Sequence, residues 1–188
     1  LSSGGPFGTA MGYVLPARLP ASVDENDFRQ TLDLSAAALG LERAVCMLDF
    51  ILHKGRIVLL ELAPRPGGDC LPFLLRRCWD LDVLKLFLDF SRGRPLRWPQ
   101  NSGKGTCVGL RLHAGVGGTV KKIDAGLLQR DQRVLEVYLK RRPGHRIEMP
   151  PEDYDSWILG HVIFCPDGHL ATQVECRELL EKLFVEIV

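Results

Sequence analysis

AVCMLDFILHKGRIVLLELAPRPGGDC, residues 44–70, is the stretch from which the fold of this chain is read. Two apolar runs, Ala44 to Leu52 and Ile57 to Ala63, flank His53-Lys54-Gly55-Arg56. Short apolar runs joined by a glycine-containing turn make a β-hairpin. Each run carries one carboxylate, Asp49 in the first and Glu61 in the second. Strands this uniformly apolar are expected to be covered on both faces. A three-residue Lys54-Gly55-Arg56 loop pairs His53 with Ile57 and sets Asp49 opposite Glu61, whereas a two-residue loop breaks that register. Directly opposed carboxylates, with Cβ atoms ~4.5–5.5 Å apart, repel each other. In a covered site that repulsion calls for a cation or a shared proton.

A hard divalent cation fits, because Mg²⁺ commonly takes one or two carboxylates and completes its shell with phosphate oxygens. The same strand leads to Arg65, four residues past Glu61, where the chain leaves through Pro66-Gly67-Gly68-Asp69. A guanidinium fork matches phosphate or carboxylate geometry. The glycines allow close approach of backbone to a ligand, and a helix beginning near Leu71 adds N–H groups. The alternative is that Asp49 and Glu61 are separately solvated or paired with arginines, and that PRPGGD is only a turn.

Outward from the hairpin, Ser22 or Asp24 caps a helix running to about Leu39, with Gly40 as its stop. Residues 1–20, rich in Gly, Ser and Pro, form a loop-and-strand segment. Leu71 to about Phe90 is helical in two pieces with a break near Asp80, and Ser91 to Gly105 reads as a linker. Beyond it, Thr106 to His113, Gly118 to Ile123, Arg133 to Leu139 and Trp157 to Cys165 read as strands, and Ala171 to Val185 as a closing helix. The expected fold class is α+β, antiparallel sheet with packed helices.

The 24 Lys and Arg against 23 Asp and Glu leave a formal charge of +1, so no basic excess points to nucleic acid or an anionic membrane. No apolar run approaches the ~20 residues of a membrane span. Six cysteines, at 46, 70, 78, 107, 165 and 176, include no CxxC pair. Neither a zinc site nor a disulfide framework is expected, and reduced thiols in a cytoplasmic protein are the default. Cys70 reads as packing. Lys140-Arg141-Arg142 with His145 and Arg146 reads as a solvated basic surface, and the histidines at 53, 113, 145, 161 and 169 lack metal-ligand spacing.

The segment from Val45 to Phe73 resembles the second half of the nucleotide site in the ATP-grasp superfamily. There a strand acid is followed twelve residues later by the Glu of an E-x-N-x-R motif, the separation of Asp49 from Glu61 (61 − 49 = 12). Looser similarity extends upstream through Pro6-Phe7 and Gly12 to Ala17. Downstream it reaches a C-terminal subdomain like that of the carboxylate-amine, or L-amino acid, ligase branch, including Gly117 to Val120 and Gly160 to Ile163.

The resemblance implies that Asp49 and Glu61 ligate Mg²⁺ (or Mn²⁺) between ATP phosphates. It makes Arg65 the phosphate or acyl-phosphate contact, and has Gly67, Gly68 and Asp69 line the acceptor side. Ala63 stands where many members carry a metal-binding Asn. The implied organisation is residues 1–98 as the C-terminal half of the ATP-grasp domain and 99–188 as an α+β subdomain. The N-terminal half, with its phosphate-binding lysines and Gly-rich loop, is expected before Leu1. LSSGGPFGTAMG lacks the Lys-Ser/Thr of a P-loop and cannot replace it. The implied activity is ATP-dependent carboxylate–amine ligation, with small-molecule carboxylate and amine substrates and homo-oligomerisation left open. A non-catalytic module binding a partner or small anion is the alternative.

Overall fold

The computed structural model describes residues 9–17, 19–21, 23–99, 105–167 and 172–188. Residues 1–8, which include Pro6-Phe7 and most of the Gly-rich opening, together with the Ser22 cap, His169 and Ala171, lie outside the described residues.

The first elements are β1 (Gly12–Leu15), α1 (Glu25–Ala38), β2 (Met47–His53), β3 (Arg56–Ala63), α2 (Leu71–Trp79) and α3 (Val83–Ser91). After residue 104 come β4 (Cys107–His113), β5 (Gly118–Asp124), α4 (Gly126–Gln129), β6 (Val134–Leu139), β7 (Arg146–Ile147), β8 (Ile158–Phe164), α5 (Thr172–Glu181) and β9 (Phe184–Ile187). The sheets are antiparallel: a four-stranded one ordered β1-β4-β8-β6, the β2-β3 hairpin, and a three-stranded one ordered β7-β5-β9. The chain is α+β, as its sequence implies.

Asp24 caps α1 by accepting from Asn26 N at 2.6 Å, and Gly40 follows with φ +68°. Asp80, left-handed at φ 52°, separates α2 from α3. The final helix is shorter than its apolar spacing suggests. It ends at Glu181, and Phe184–Ile187 becomes an edge strand on β5. The reason lies in Phe-Val-Glu-Ile, whose β-branched and aromatic side chains fit a pleated surface better than a helix.

The main core belongs to the four-stranded sheet and its neighbours. All seven residues of β8 are buried, and Val108, Leu112, Leu128, Trp157 and Leu179 close around them. Each such side chain contributes roughly 1.5–3 kcal/mol by leaving water. Helix α2 packs on β1, β4 and β8 through Leu74 and Cys78. Gly109 makes this approach possible, since a Cβ there would stand 3.0 Å from Cys70 Sγ and 3.5 Å from Leu74 Cδ2.

The same packing corrects the expectation of reduced cysteines throughout. The buried face of α2 ends in Cys78, which sits over the first residue of β4 and forms a disulfide with Cys107, Cα to Cα 6.3 Å. Cys165 lies alongside, Sγ to Sγ 3.5 Å from Cys107. With a bridge present, the thiol argument for a compartment loses its premise. No helix among the described residues is long and apolar enough to cross a membrane.

Candidate functional site

The hairpin turn has two residues. Lys54 and Gly55 take φ of 50° and 74°, the left-handed pair of a tight primed turn, and His53 pairs with Arg56. That register alone would have set Asp49 against Leu60. A β-bulge intervenes: Phe50 pairs with Leu59, Leu60 is the extra residue, and Asp49 pairs with Glu61. The opposition expected from a three-residue loop is reached by a shorter loop plus a bulge.

Cover is the second correction. Phe50 meets Phe28 of α1 with ring centroids 5.2 Å apart, so α1 shields the face carrying Leu48, Phe50 and Leu59. The opposite face, with Asp49, Glu61, Ile51 and Val58, is exposed among the described residues, Ile51 at 49% and Val58 at 41%. The expectation of two covered faces is met on one face only, by α1.

Arg65 is exposed, and its Nη1 donates to Pro66 O at 3.0 Å. Gly67 is tight, a Cβ there meeting Leu71 Cδ1 at 3.1 Å, while Gly68 faces open space. Asp69 has φ 56° and points back over the main sheet, where its Oδ2 accepts from Arg111 Nε at 2.6 Å. Tyr13 lies against the same pair, its hydroxyl 3.4 Å from Arg111 Nη2. Burial, then the Asp69 charge, push the Tyr13 hydroxyl up to about 12. The same two causes push the fully buried Cys70 thiol up to about 12, which fits packing and not nucleophilic chemistry.

Beyond Asp69 a cleft of about 450 Å³ opens over the main sheet. Apart from Asp69, sequence reasoning gave its residues no role in a site. Arg111 is the one charge in the apolar strand CVGLRLH, the same signal that singles out Asp49. His161 has no metal-ligand spacing, yet it occupies the middle of β8, 4.9 Å from the Phe73 ring and 5.3 Å from the Tyr138 ring. Burial holds His161 below the usual imidazole range, partly offset by Glu136 with its Oε1 3.6 Å away. Lys140 and Arg141, expected to be solvated, both pair with Asp155. Lys140 and Asp155 form part of the cleft wall.

No protein-family description matches this sequence, and no curated protein matches it. Solved structures do. The chain is similar to L-amino acid ligase from Bacillus licheniformis, 22% identical with a TM-score of 0.77, covering 99% of this chain and 46% of that one. It is also similar to phosphoribosylglycinamide synthetase from Anaerococcus prevotii, 15% identical with a TM-score of 0.75, over 95% of this chain and 45% of that one. N5-carboxyaminoimidazole ribonucleotide synthetase from Thermus thermophilus matches at 18% identity and a TM-score of 0.60, over 94% and 43%. These are ATP-grasp enzymes, and the chain has the fold of their C-terminal portion. It spans less than half the length of each of the three.

Proposed function

We propose that the chain is the C-terminal part of an ATP-dependent carboxylate–amine ligase, with residues 1–98 completing the nucleotide domain and 99–188 the following subdomain. ATP phosphorylates a carboxylate, an amine attacks the acyl phosphate, and ADP and phosphate leave. The observation that carries this reading is the direct opposition of Asp49 and Glu61, which a bulge restores after a turn of the wrong length.

The donor set fits a hard divalent cation shared with a nucleotide. Two carboxylates oppose each other on an open face, and no group of three or more His, Cys, Asp or Glu that could hold a metal ion gathers at them or anywhere else among the described residues. Asp49 and Glu61 would hold Mg²⁺ or Mn²⁺, leaving the remaining positions to phosphate oxygens and water. When bound, such an ion offsets negative charge on the transferring phosphoryl group. Arg65, on the same strand exit, donates to the phosphoryl oxygens of the acyl phosphate. Gly67, Gly68 and Asp69 line the side from which the amine approaches. A biotin carboxylase domain of related fold, from Hydrogenobacter thermophilus 2-oxoglutarate carboxylase, is described in complex with ADP and its magnesium salt, which supports placing a nucleotide and Mg²⁺ in this fold.

The full-length protein should release ADP when given Mg·ATP, a carboxylate and hydroxylamine, and should form the hydroxamate expected of a trapped acyl phosphate. ADP release without hydroxamate rules out the acyl-phosphate route. Residues 1–188 alone should bind Mg·ATP weakly or not at all. Micromolar binding to this chain in a calorimetric titration would show that its nucleotide contacts are misplaced here.

A further inference from the structure

Cys107 stands between two other sulfurs. Helix α2 brings Cys78 onto it from above the sheet, and the two are bonded. Cys165 reaches it from within the sheet. The pairing of Val108 with Phe164 makes Cys107 and Cys165 the next cross-strand neighbours of β4 and β8, and their Sγ atoms are 3.5 Å apart. Cross-strand neighbours project from one face, with Cα atoms ~4.5–5.5 Å apart. A disulfide spans Cα separations of about 4.4–6.8 Å. Cys165 therefore satisfies that requirement from the strand as Cys78 does from the helix, the latter at 6.3 Å.

The two pairings hold different things together. Cys78–Cys107 fastens the last turn of α2 to β4 across a sequence separation of 29. Cys107–Cys165 joins strands that are already paired, across a separation of 58, and leaves α2 to the packing of Cys70 and Leu74 on β4. Doubling a loop alters its closure entropy only slightly, so chain statistics bar neither bond. Exposure sets the direction of attack. Cys78 and Cys107 are buried, whereas Cys165 is partly exposed and can lose its proton to water, and the thiolate is the form that attacks a disulfide.

We propose that Cys78, Cys107 and Cys165 form an internal thiol–disulfide exchange site, in which one bond passes between helix α2 and the strand end at Cys165. The Cys165 thiolate attacks Cys107 Sγ. The Cys107–Cys165 bond forms, the Cys107–Cys78 bond breaks, and Cys78 leaves as a thiolate that takes a proton from water in place of the one Cys165 gave up. One disulfide stands on each side of the step, so no oxidant or reductant is consumed. Asp69 and Cys70 lead directly into α2, so the exchange loosens the helix that follows the Gly67-Gly68 turn and leaves the sheet paired. The assignment is independent of the ligase reading above.

The test uses the full-length protein, oxidised in a glutathione redox buffer at about pH 8, where thiolates form. Samples are quenched in acid and denaturant, blocked with N-ethylmaleimide, digested and mapped by mass spectrometry. Wild type should give two species in one sample: Cys78–Cys107 with Cys165 blocked, and Cys107–Cys165 with Cys78 blocked. Cys165→Ala should give only the first bond and Cys78→Ala only the second. Amide hydrogen exchange across α2 should be at least about tenfold faster in oxidised Cys78→Ala than in oxidised Cys165→Ala, and reduction of Cys165→Ala should remove most of that difference. A wild-type map holding Cys78–Cys107 alone overturns the proposal, as does one with glutathione on Cys165 and no Cys107–Cys165 bond, or one with no bond among the three. A folded Cys78→Ala protein that forms no Cys107–Cys165 bond overturns it too, and if that variant does not fold the wild-type map decides. Equal exchange across α2 in the two oxidised variants overturns the release of the helix.

Discussion

The hairpin β2-β3 and the four-stranded sheet β1-β4-β8-β6 divide the work of the molecule unequally. No residue of β2 or β3 is buried, while every residue of β8 is. Asp49 and Glu61 sit on the hairpin's open face, where their mutual repulsion is screened by water. The charges at the cleft sit over a packed core and are tied in pairs. The hairpin can therefore change side chains at little cost in stability, whereas the sheet holds its residues in place through backbone contacts that tolerate almost no change.

The sharpest way to break that contrast is a single added methyl group in each region. Gly160→Ala drives a Cβ into the backbone of β6, onto Tyr138 O and to 3.0 Å from Leu139 Cα. Backbone cannot rotate aside, so β6 and β8 must part, and we expect about 3 kcal/mol or more of lost stability, at or beyond the upper end for overpacking. Gly68→Ala adds its methyl to open space and should change stability by less than about 0.5 kcal/mol. Urea unfolding of the two variants measures both. A Gly160→Ala protein as stable as wild type would mean that β6 and β8 are not held this closely.

The same contrast explains what could be read from the sequence. Asp49 and Glu61 were legible because each is the only charge in an apolar run, and the pairing was right although the loop length was not. Leu60 gives no sign of being a bulge, because an extra leucine in VLLEL looks like any other strand residue. Arg111 carried the signal of Asp49, but its partner Asp69 is 42 residues away, and no local pattern shows that α2 folds back over β4. The Cys78–Cys107 bridge escaped for the same reason. Contacts made within a hairpin leave a trace in spacing, and contacts made by docking a helix on a sheet do not.

On the hairpin, chemistry should be lost without stability. Asp49→Asn removes one of two opposed charges, and such a pair costs roughly 0.2–1 kcal/mol. On the ligase reading, melting temperature should hold or rise while turnover by the full-length protein falls at least ~10²-fold, the scale for loss of a positioned charge contact. Arg65→Lys should behave alike, since the ammonium keeps the charge and loses the planar fork. Turnover within twofold of wild type at saturating ATP removes the substituted residue from the site.

In the sheet region the order is reversed, and stability should respond where chemistry is remote. Asp131 accepts from Arg133 and from Lys182 at 2.6 Å, tying the start of β6 to the end of α5. The hydrogen bonds from Arg133, then those from Lys182, hold its carboxyl well below the usual range. A depressed carboxylate stabilises the fold above the unfolded-state value of about 3.9 and loses that contribution as pH falls toward the folded-state value. Asp131→Asn should cost about 1–2 kcal/mol at pH 7, and the cost should shrink progressively as pH falls below about 4. A cost independent of pH would assign the loss to packing.

The smallest effect concerns the two histidines of the sheet, and it separates burial from pairing. His113 packs on Trp157, ring centroids 5.0 Å apart, and burial holds its imidazole below the usual range, with the Ala114 carbonyl opposing weakly. His161 is lowered by burial in the same way. For a base whose folded value is depressed, the unfolded chain binds protons first as pH drops. Stability is then complete above about pH 6.5 and declines below it. This window lies well above that of Asp131, so the two contributions can be read apart in one titration. Melting of residues 1–188, followed by tryptophan fluorescence, should show a midpoint that is flat above pH 7 and falls by a few degrees toward pH 5. His113→Phe keeps an aromatic ring against Trp157 and removes the titrating group, so part of that slope should vanish. If His113→Phe leaves the slope between pH 5 and 7 unchanged, His113 takes up its proton in the folded sheet as readily as in water, and the packing against Trp157 is looser than the ring distance implies.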